Sequence, residues 1–176
     1  MMITEHMIKK TRGVHMAIIA AMAICTLTAL YTAFVFDVSR DAYVMANSIL
    51  GIAMLVFDLA LMSSIAFSDQ NAQLARSFTL MTVFAFLSTF CSLFSQEASG
   101  LTEHSELVRV MYMLSYCTGS IYFGFFQRYV RALDNKKKSV KLWDHTMWII
   151  VILYNLLILA DIFLGAFYKV EAGIVV

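Results

Sequence analysis

Proline is absent from the 176-residue chain, which removes the usual means of breaking a membrane helix so that its backbone meets a substrate at mid-membrane. Straight, continuous helices are expected, and a transporter built on broken helices is disfavoured. Charge is scarce as well, with 14% of residues charged and a formal net charge of +1. A nucleic-acid footprint needs a basic surface, so no nucleic-acid partner is expected. Cysteine is limited to Cys25, Cys91 and Cys117, each in a separate apolar run. That spacing supports neither a disulfide framework nor a C-x-x-C metal or redox site, and the three read as small core residues. Phosphate-binding glycine loops, a G-x-S-x-G elbow and an H-E-x-x-H helix are lacking. His6, His15, His104 and His145 show no pair at ligand spacing on one helix. The expectation is a non-enzymatic chain with no cofactor and no metal.

What the chain does contain is apolar surface, since 61% of its residues are hydrophobic. A water-soluble fold of this size has too little interior to hide that much. The charges gather in short clusters between apolar runs long enough to cross a hydrocarbon layer of about 30 Å. The reading is an all-α, polytopic membrane bundle forming one membrane domain over residues 1–176. Its five spans fall at about 14–36, 42–67, 74–94, 107–126 and 142–168. The first run follows Lys9, Lys10 and Arg12, yet it is too long for a signal-peptide core and reads as a retained signal anchor. The apolar run of the third, Phe78 to Phe94, is only 17 residues and borrows a turn from Leu74 and Ala75 to reach spanning length.

Basic loops resist translocation, so orientation follows from where lysine and arginine fall. An inside N-terminus puts Lys9, Lys10, Arg12, Arg76, Arg128, Arg131, Lys136, Lys137, Lys138 and Lys141 in the cytoplasm, ten of the thirteen basic residues. Arg40, Arg109 and Lys169 fall outside with Glu97, Glu103 and Glu106. Five spans then leave the C-terminus outside, and the expected location is the plasma membrane.

Ionisable groups inside a membrane are functional hypotheses by default, at roughly 2.5 to 3.5 kcal/mol each at the helix centre. Asp58 and Asp161 are the first candidates. A rise of about 1.5 Å per residue puts Asp58 some 24 Å below the outer end of its span and Asp161 roughly 10 Å below. Asn155 comes out near the level of Asp58, and Asn47 near Asp161. Spans two and five are therefore expected to meet at two polar contacts. Those contacts have two readings, a buried ligand or proton-sensing site, or hydrogen bonds that only fix packing; the second is the default.

In the fourth span, Ser115 with Gly119 and Ser120 with Gly124 stand four residues apart and let a neighbouring backbone approach closely. Tyr112, Tyr116 and Phe123 lie near one face, a pattern that suits either an aromatic pocket for a small hydrophobic ligand or ordinary packing and interfacial anchoring. His104, between acidic neighbours, is placed to titrate near neutral pH or to be an ordinary solvated loop residue. Arg128, Arg131, Lys136, Lys137, Lys138 and Lys141 form a basic hinge that attracts anionic head groups and offers a docking surface.

Three stretches, Ala29 to Leu50, Phe125 to Leu133 and Lys141 to Gly173, resemble the N-terminal membrane module of bacterial sensor proteins, chiefly of Firmicutes. In those proteins several spans precede a diguanylate-cyclase (GGDEF) or histidine-kinase output domain. The likeness lies in hydropathy layout and short polar punctuation and covers nearly the whole chain. It implies a sensory or regulatory module that passes an external or membrane-borne cue to a cytoplasmic partner by shifting helices. The sequence departs from that pattern by ending at Val176 without an output domain, so signalling is expected to need a further span or a second protein. Lipid is the dominant partner expected, with a cytoplasmic signalling protein or a homo-oligomer as further candidates. The alternative function is a small oligomeric transporter or channel subunit with Asp58 or Asp161 at a wet interface.

Overall fold

The computed structural model of the protein describes residues 2–35, 42–66, 72–98, 105–134, 140–164, 170–171 and 174–175. Five helices occupy the five expected segments: α1 (Met2–Val35), α2 (Ala42–Ala66), α3 (Ala72–Ala98), α4 (Ser105–Asp134) and α5 (Val140–Leu164). Each runs without a break, in keeping with the lack of proline. Two-residue strands β1 (Val170–Glu171) and β2 (Ile174–Val175) pair antiparallel and pack against α4. This hairpin is the one departure from an all-α chain among the described residues.

Three helices are long and apolar enough to cross a membrane, over Gly13–Ala33, Met45–Ala66 and Leu74–Gln96. They point to a membrane protein. The apolar stretch of α5, His145–Asp161, is shorter. In α4 the run is diluted by Arg109, Tyr112, Ser115, Gly119 and Ser120. The arrangement of the bundle accounts for that dilution. The most extensive interface joins α3 to α4; α1 and α2 pack on each other and on α3, while α5 packs on α4. With a helix on each side, α4 carries small and polar side chains inward that a lipid-facing helix would avoid.

The apolar core divides accordingly. Met22 and Ala29 of α1, Leu55, Met62 and Ile65 of α2, and Phe86 and Leu93 of α3 form one buried cluster. Met113 and Cys117 of α4 with Ile158 of α5 form a smaller one. Large apolar side chains cover the outside, among them Leu27 at 66% exposed, Phe57 at 63% and Leu157 at 61%. An apolar exterior of this extent is far beyond what a water-soluble monomer presents, and it suits a hydrocarbon solvent. Hydroxyls within the helices are quieted locally: Thr26 donates to the Met22 carbonyl at 2.8 Å and Ser63 to the Leu59 carbonyl at 2.9 Å. Such back-bonding spares a hydroxyl from facing lipid unpaired.

Candidate functional site

The polar positions converge on α4. On its α3 side, Ser88 Oγ donates to the Ser115 carbonyl at 2.8 Å, and Ser115 Oγ returns a bond to the Ser88 carbonyl at 3.0 Å. Side chains reach the opposite backbone only when two helices come very close, and Gly119 permits it. A methyl group placed on Gly119 would lie 3.1 Å from Ser88 Oγ. Close approach of small residues is what holds helices together where lipid removes the hydrophobic drive.

On its α5 side, α4 presents Ser120 and Gly124. Asn155 Nδ2 donates to Ser120 Oγ and to the Val151 carbonyl, both at 2.7 Å. Its Oδ1 is buried with no hydrogen-bond partner. One turn further along, Gly124 accommodates the indole of Trp148, whose Cζ2 would lie 3.1 Å from an added methyl. That indole stands edge-on to Phe125, with ring centres 5.3 Å apart, and Phe125 stacks on Phe84 of α3. The Arg128 guanidinium sits 4.9 Å over the Trp148 ring, a cation–π contact that anchors this end of α5.

At the opposite end, Arg109 Nη2 donates to the Asp161 main-chain carbonyl at 2.7 Å, beside an aspartate with 0% exposure. The last four carbonyls of a helix lack intrahelical donors. Asp161 begins the last four residues of α5, so a guanidinium from α4 caps it and offsets the negative end of the helix dipole.

Between these contacts α5 stands off the α3–α4 pair and leaves a cavity of about 550 Å³. Its lining includes the hydroxyls of Ser88, Ser92, Ser115 and Ser120, the Gln96 carboxamide, and the larger side chains of Tyr112, Tyr116, Phe123, Met147, Ile150 and Tyr154. Tyr116 donates its hydroxyl to that of Tyr112 at 3.3 Å, with ring centres 5.1 Å apart. A second cavity of about 320 Å³ lies on the other side of the same seam, against Asn47, Gly51 and Met54 of α2. Ser88, Ser92, Gln96 and Ser115 border both.

The expected meeting of spans two and five is corrected by this geometry. The α3–α4 pair lies between α2 and α5, and Asn155 turns to Ser120 of α4 rather than to Asp58. Asp161 lies by Arg109 rather than by Asn47. Asn47 borders the smaller cavity, and Asp58 is half-buried on α2. Neither makes a hydrogen bond or ion pair among the described residues. His15 Nε2 lies 3.3 Å from the buried Thr79 Oγ1 and ties α1 to α3. Lys136, Lys137, Lys138 and His104 lie outside the described residues, and Lys141 falls in α5. Arg109 was missed as a site residue. The signal for it was equal depth, because Arg109 and Asp161 each stand about one turn from helix ends that antiparallel packing brings level.

Asn155→Leu removes one interhelical hydrogen bond and one unpartnered buried oxygen together. The two effects oppose each other, so stability in detergent should fall by no more than about 1 kcal/mol. A double-mutant cycle with Ser120→Ala, read by thermal unfolding, should give a coupling near 0.6 kcal/mol. A coupling of zero would remove the Asn155–Ser120 bond from consideration.

Fold and site define a helical bundle with three helices long and apolar enough to cross a membrane and a polar seam beside a laterally open cavity. The chain matches no protein-family model, and neither curated proteins nor solved structures give a match. Any functional reading therefore rests on the geometry above.

Proposed function

We propose that the protein is a non-enzymatic sensory or regulatory module of the plasma membrane. All five helices span, the N-terminus is cytoplasmic, and a cue from outside or from the bilayer is passed on by repositioning α5 against α4. The observation that carries this reading is the unequal attachment of the helices. A continuous apolar core of seven buried residues unites α1, α2 and α3, whereas α5 is held on α4 by a small apolar cluster of Met113, Cys117 and Ile158 and by the Arg109, Asn155 and Trp148 contacts, around a cavity of about 550 Å³. Individual contacts between membrane helices are worth on the order of 1 kcal/mol, so a ligand with modest preference is enough to shift two arrangements.

The topology is supported by the lysine and arginine count and by the aromatic cluster of Phe84, Phe125 and Trp148. That cluster stands at the Arg128 end, where interfacial aromatics are expected. On this orientation the readout side is the connection bearing Arg128, Arg131, Lys136, Lys137, Lys138 and Lys141, a basic surface for anionic lipid or a signalling partner.

Spin labels at the exposed Leu133 and His145, in lipid nanodiscs, test the reading without any ligand. Two resolved α4–α5 separations are expected, and Asn155→Leu should change their ratio by about fivefold, equivalent to roughly 1 kcal/mol. One narrow distance, unchanged by the substitution, would defeat the proposal.

A second reading is a small oligomeric transporter or channel subunit, favoured by the serine and glutamine seam that borders both cavities. Ion flux in liposomes that Asp58→Asn abolishes would select it over the first.

A further inference from the structure

We propose that the cavity between α3, α4 and α5 binds one uncharged single-chain amphiphile from the surrounding lipid, its hydrogen-bonding head at the Gln96 end and its tail toward Met147. This rests on the sensory reading and names the chemical class of its membrane-borne cue.

Shape comes first. Tyr112 and Phe123 both line the cavity and stand eleven residues apart on α4, so the space extends about 16 Å along the helix axis. A volume of about 550 Å³ drawn out to that length is a slot for a chain rather than a chamber for a compact ring.

Polarity is graded along the slot. Gln96, Tyr112 and Tyr116 border one end; Phe123, Met147 and Ile150 border the other. Gln96 closes the apolar stretch Leu74–Gln96 of α3, which sets it at the level where hydrocarbon gives way to water. Its carboxamide makes no hydrogen bond among the described residues, which leaves two N–H donors and a carbonyl oxygen for a ligand. A hydroxyl, ester or amide head meets those groups.

Charge decides what the head is not. Among the described residues no lysine, arginine, aspartate or glutamate lines the cavity. A phosphate or carboxylate would lose hydration there without a counter-charge, which is far more unfavourable than burying a neutral hydroxyl that finds a partner. Access is sideways, because Phe123 and Ile150 are 61% and 53% exposed on the outer surface of the bundle. In a bilayer that surface meets acyl chains, so the pool from which the slot fills is lipid.

The test uses the full chain in phosphatidylcholine nanodiscs and a monoacylglycerol carrying a diazirine at the end of its acyl chain. Saturable photolabelling is expected at Phe123, Met147 or Ile150. Unlabelled monoacylglycerol of equal length should compete, and the matching ionised fatty acid should not. Ile150→Trp, which fills the slot from an exposed position, should reduce labelling by about tenfold. Gln96→Leu should weaken apparent affinity by roughly two- to tenfold, the worth of one hydrogen bond, with the labelled positions unchanged. Unchanged thermal unfolding of both variants separates these effects from misfolding. Labelling that rises linearly with probe, or that appears equally at the lipid-facing Leu153 and Leu157, would mean bulk lipid only and overturn the proposal. Equal competition by the fatty acid would overturn the neutral head. If labelling fails while the two α4–α5 separations are still resolved, the ligand class is refuted and the sensory reading stands. Failure of both measurements removes both.

Discussion

Arg109→Leu is expected to lower the unfolding free energy of the protein in detergent by about 3 kcal/mol, the upper part of the range for a hydrogen bond that involves a charged group. The position of this arginine makes no sense from α4 alone. It lies four residues after Ser105, the first of α4, where the helix dipole disfavours a cation. Its reason lies on α5, where Nη2 donates at 2.7 Å to the carbonyl of Asp161, a residue with no exposed surface. Removing the guanidinium strands a carbonyl at a helix end in a setting where water is not at hand, and leaves a buried carboxyl beside the negative pole of α5. Arg109→Lys should recover no more than half of the loss, because a point charge on a flexible stem replaces a planar fork of donors. Replacing both residues with leucine should recover only part of the loss, since it removes the buried carboxyl but leaves the main-chain carbonyl of residue 161 without its donor. Thermal unfolding followed by helix signal reads all three. If Arg109→Leu stayed within about 0.5 kcal/mol of the parent, the size of an ordinary surface change, the guanidinium would not be a structural contact.

How much of this could be read in advance depends on what a one-dimensional pattern encodes. Five helices were legible, because apolar runs bounded by charge clusters translate directly into helix length. The small-residue pairs of α4 were legible too. Ser115 and Ser120 are five residues apart, which at 3.6 residues per turn places them about 140° apart around the axis. One pair must therefore address a different neighbour from the other, and in the fold these are α3 and α5. Which neighbours they would be was not legible. Rise per residue yields depth, and depth alone made Asn155 and Asp58 look like partners. Contact also requires the two helices to be adjacent, and α3 and α4 intervene. The cavity was hidden for a related reason. It arises from the distance at which Trp148, Asn155, Arg109 and the Ile158 cluster together hold α5, a property of no single residue. Tyr112, Tyr116 and Phe123 did give a partial sign of it, since an aromatic face on a helix diluted by polar residues suits either packing or a pocket, and the fold sets all three along the slot.

The second large effect is expected from crowding the α3–α4 seam. Gly119→Leu should destabilise the protein by about 3 kcal/mol, the upper end for overpacking a tight interface. The first added carbon would lie 3.1 Å from Ser88 Oγ. That hydroxyl cannot turn aside freely, because it already donates to the Ser115 carbonyl at 2.8 Å. The two helices must separate, and separation weakens both reciprocal serine bonds in the most extensive interface of the bundle. In lipid this matters more than in water, for close packing is most of what favours the associated state. Gly124→Leu should act similarly through α5, since its added carbon meets Trp148 at 3.1 and 3.3 Å and the indole is fixed by Phe125 and Arg128. Gly51 gives a milder case, because the atom in its way is the far end of the flexible Leu93 side chain, at 2.8 Å. Gly13 supplies the control. Nothing lies within 4 Å of it, so Gly13→Leu should be neutral or stabilising by up to about 0.8 kcal/mol through helix propensity alone. The expected order of unfolding temperatures is therefore Gly13→Leu at the top, Gly51→Leu next, and Gly119→Leu and Gly124→Leu lowest. A Gly119→Leu protein that melts with the Gly13→Leu control would mean that α3 and α4 do not approach closely at Ser88, and the seam that borders both cavities would lose its basis.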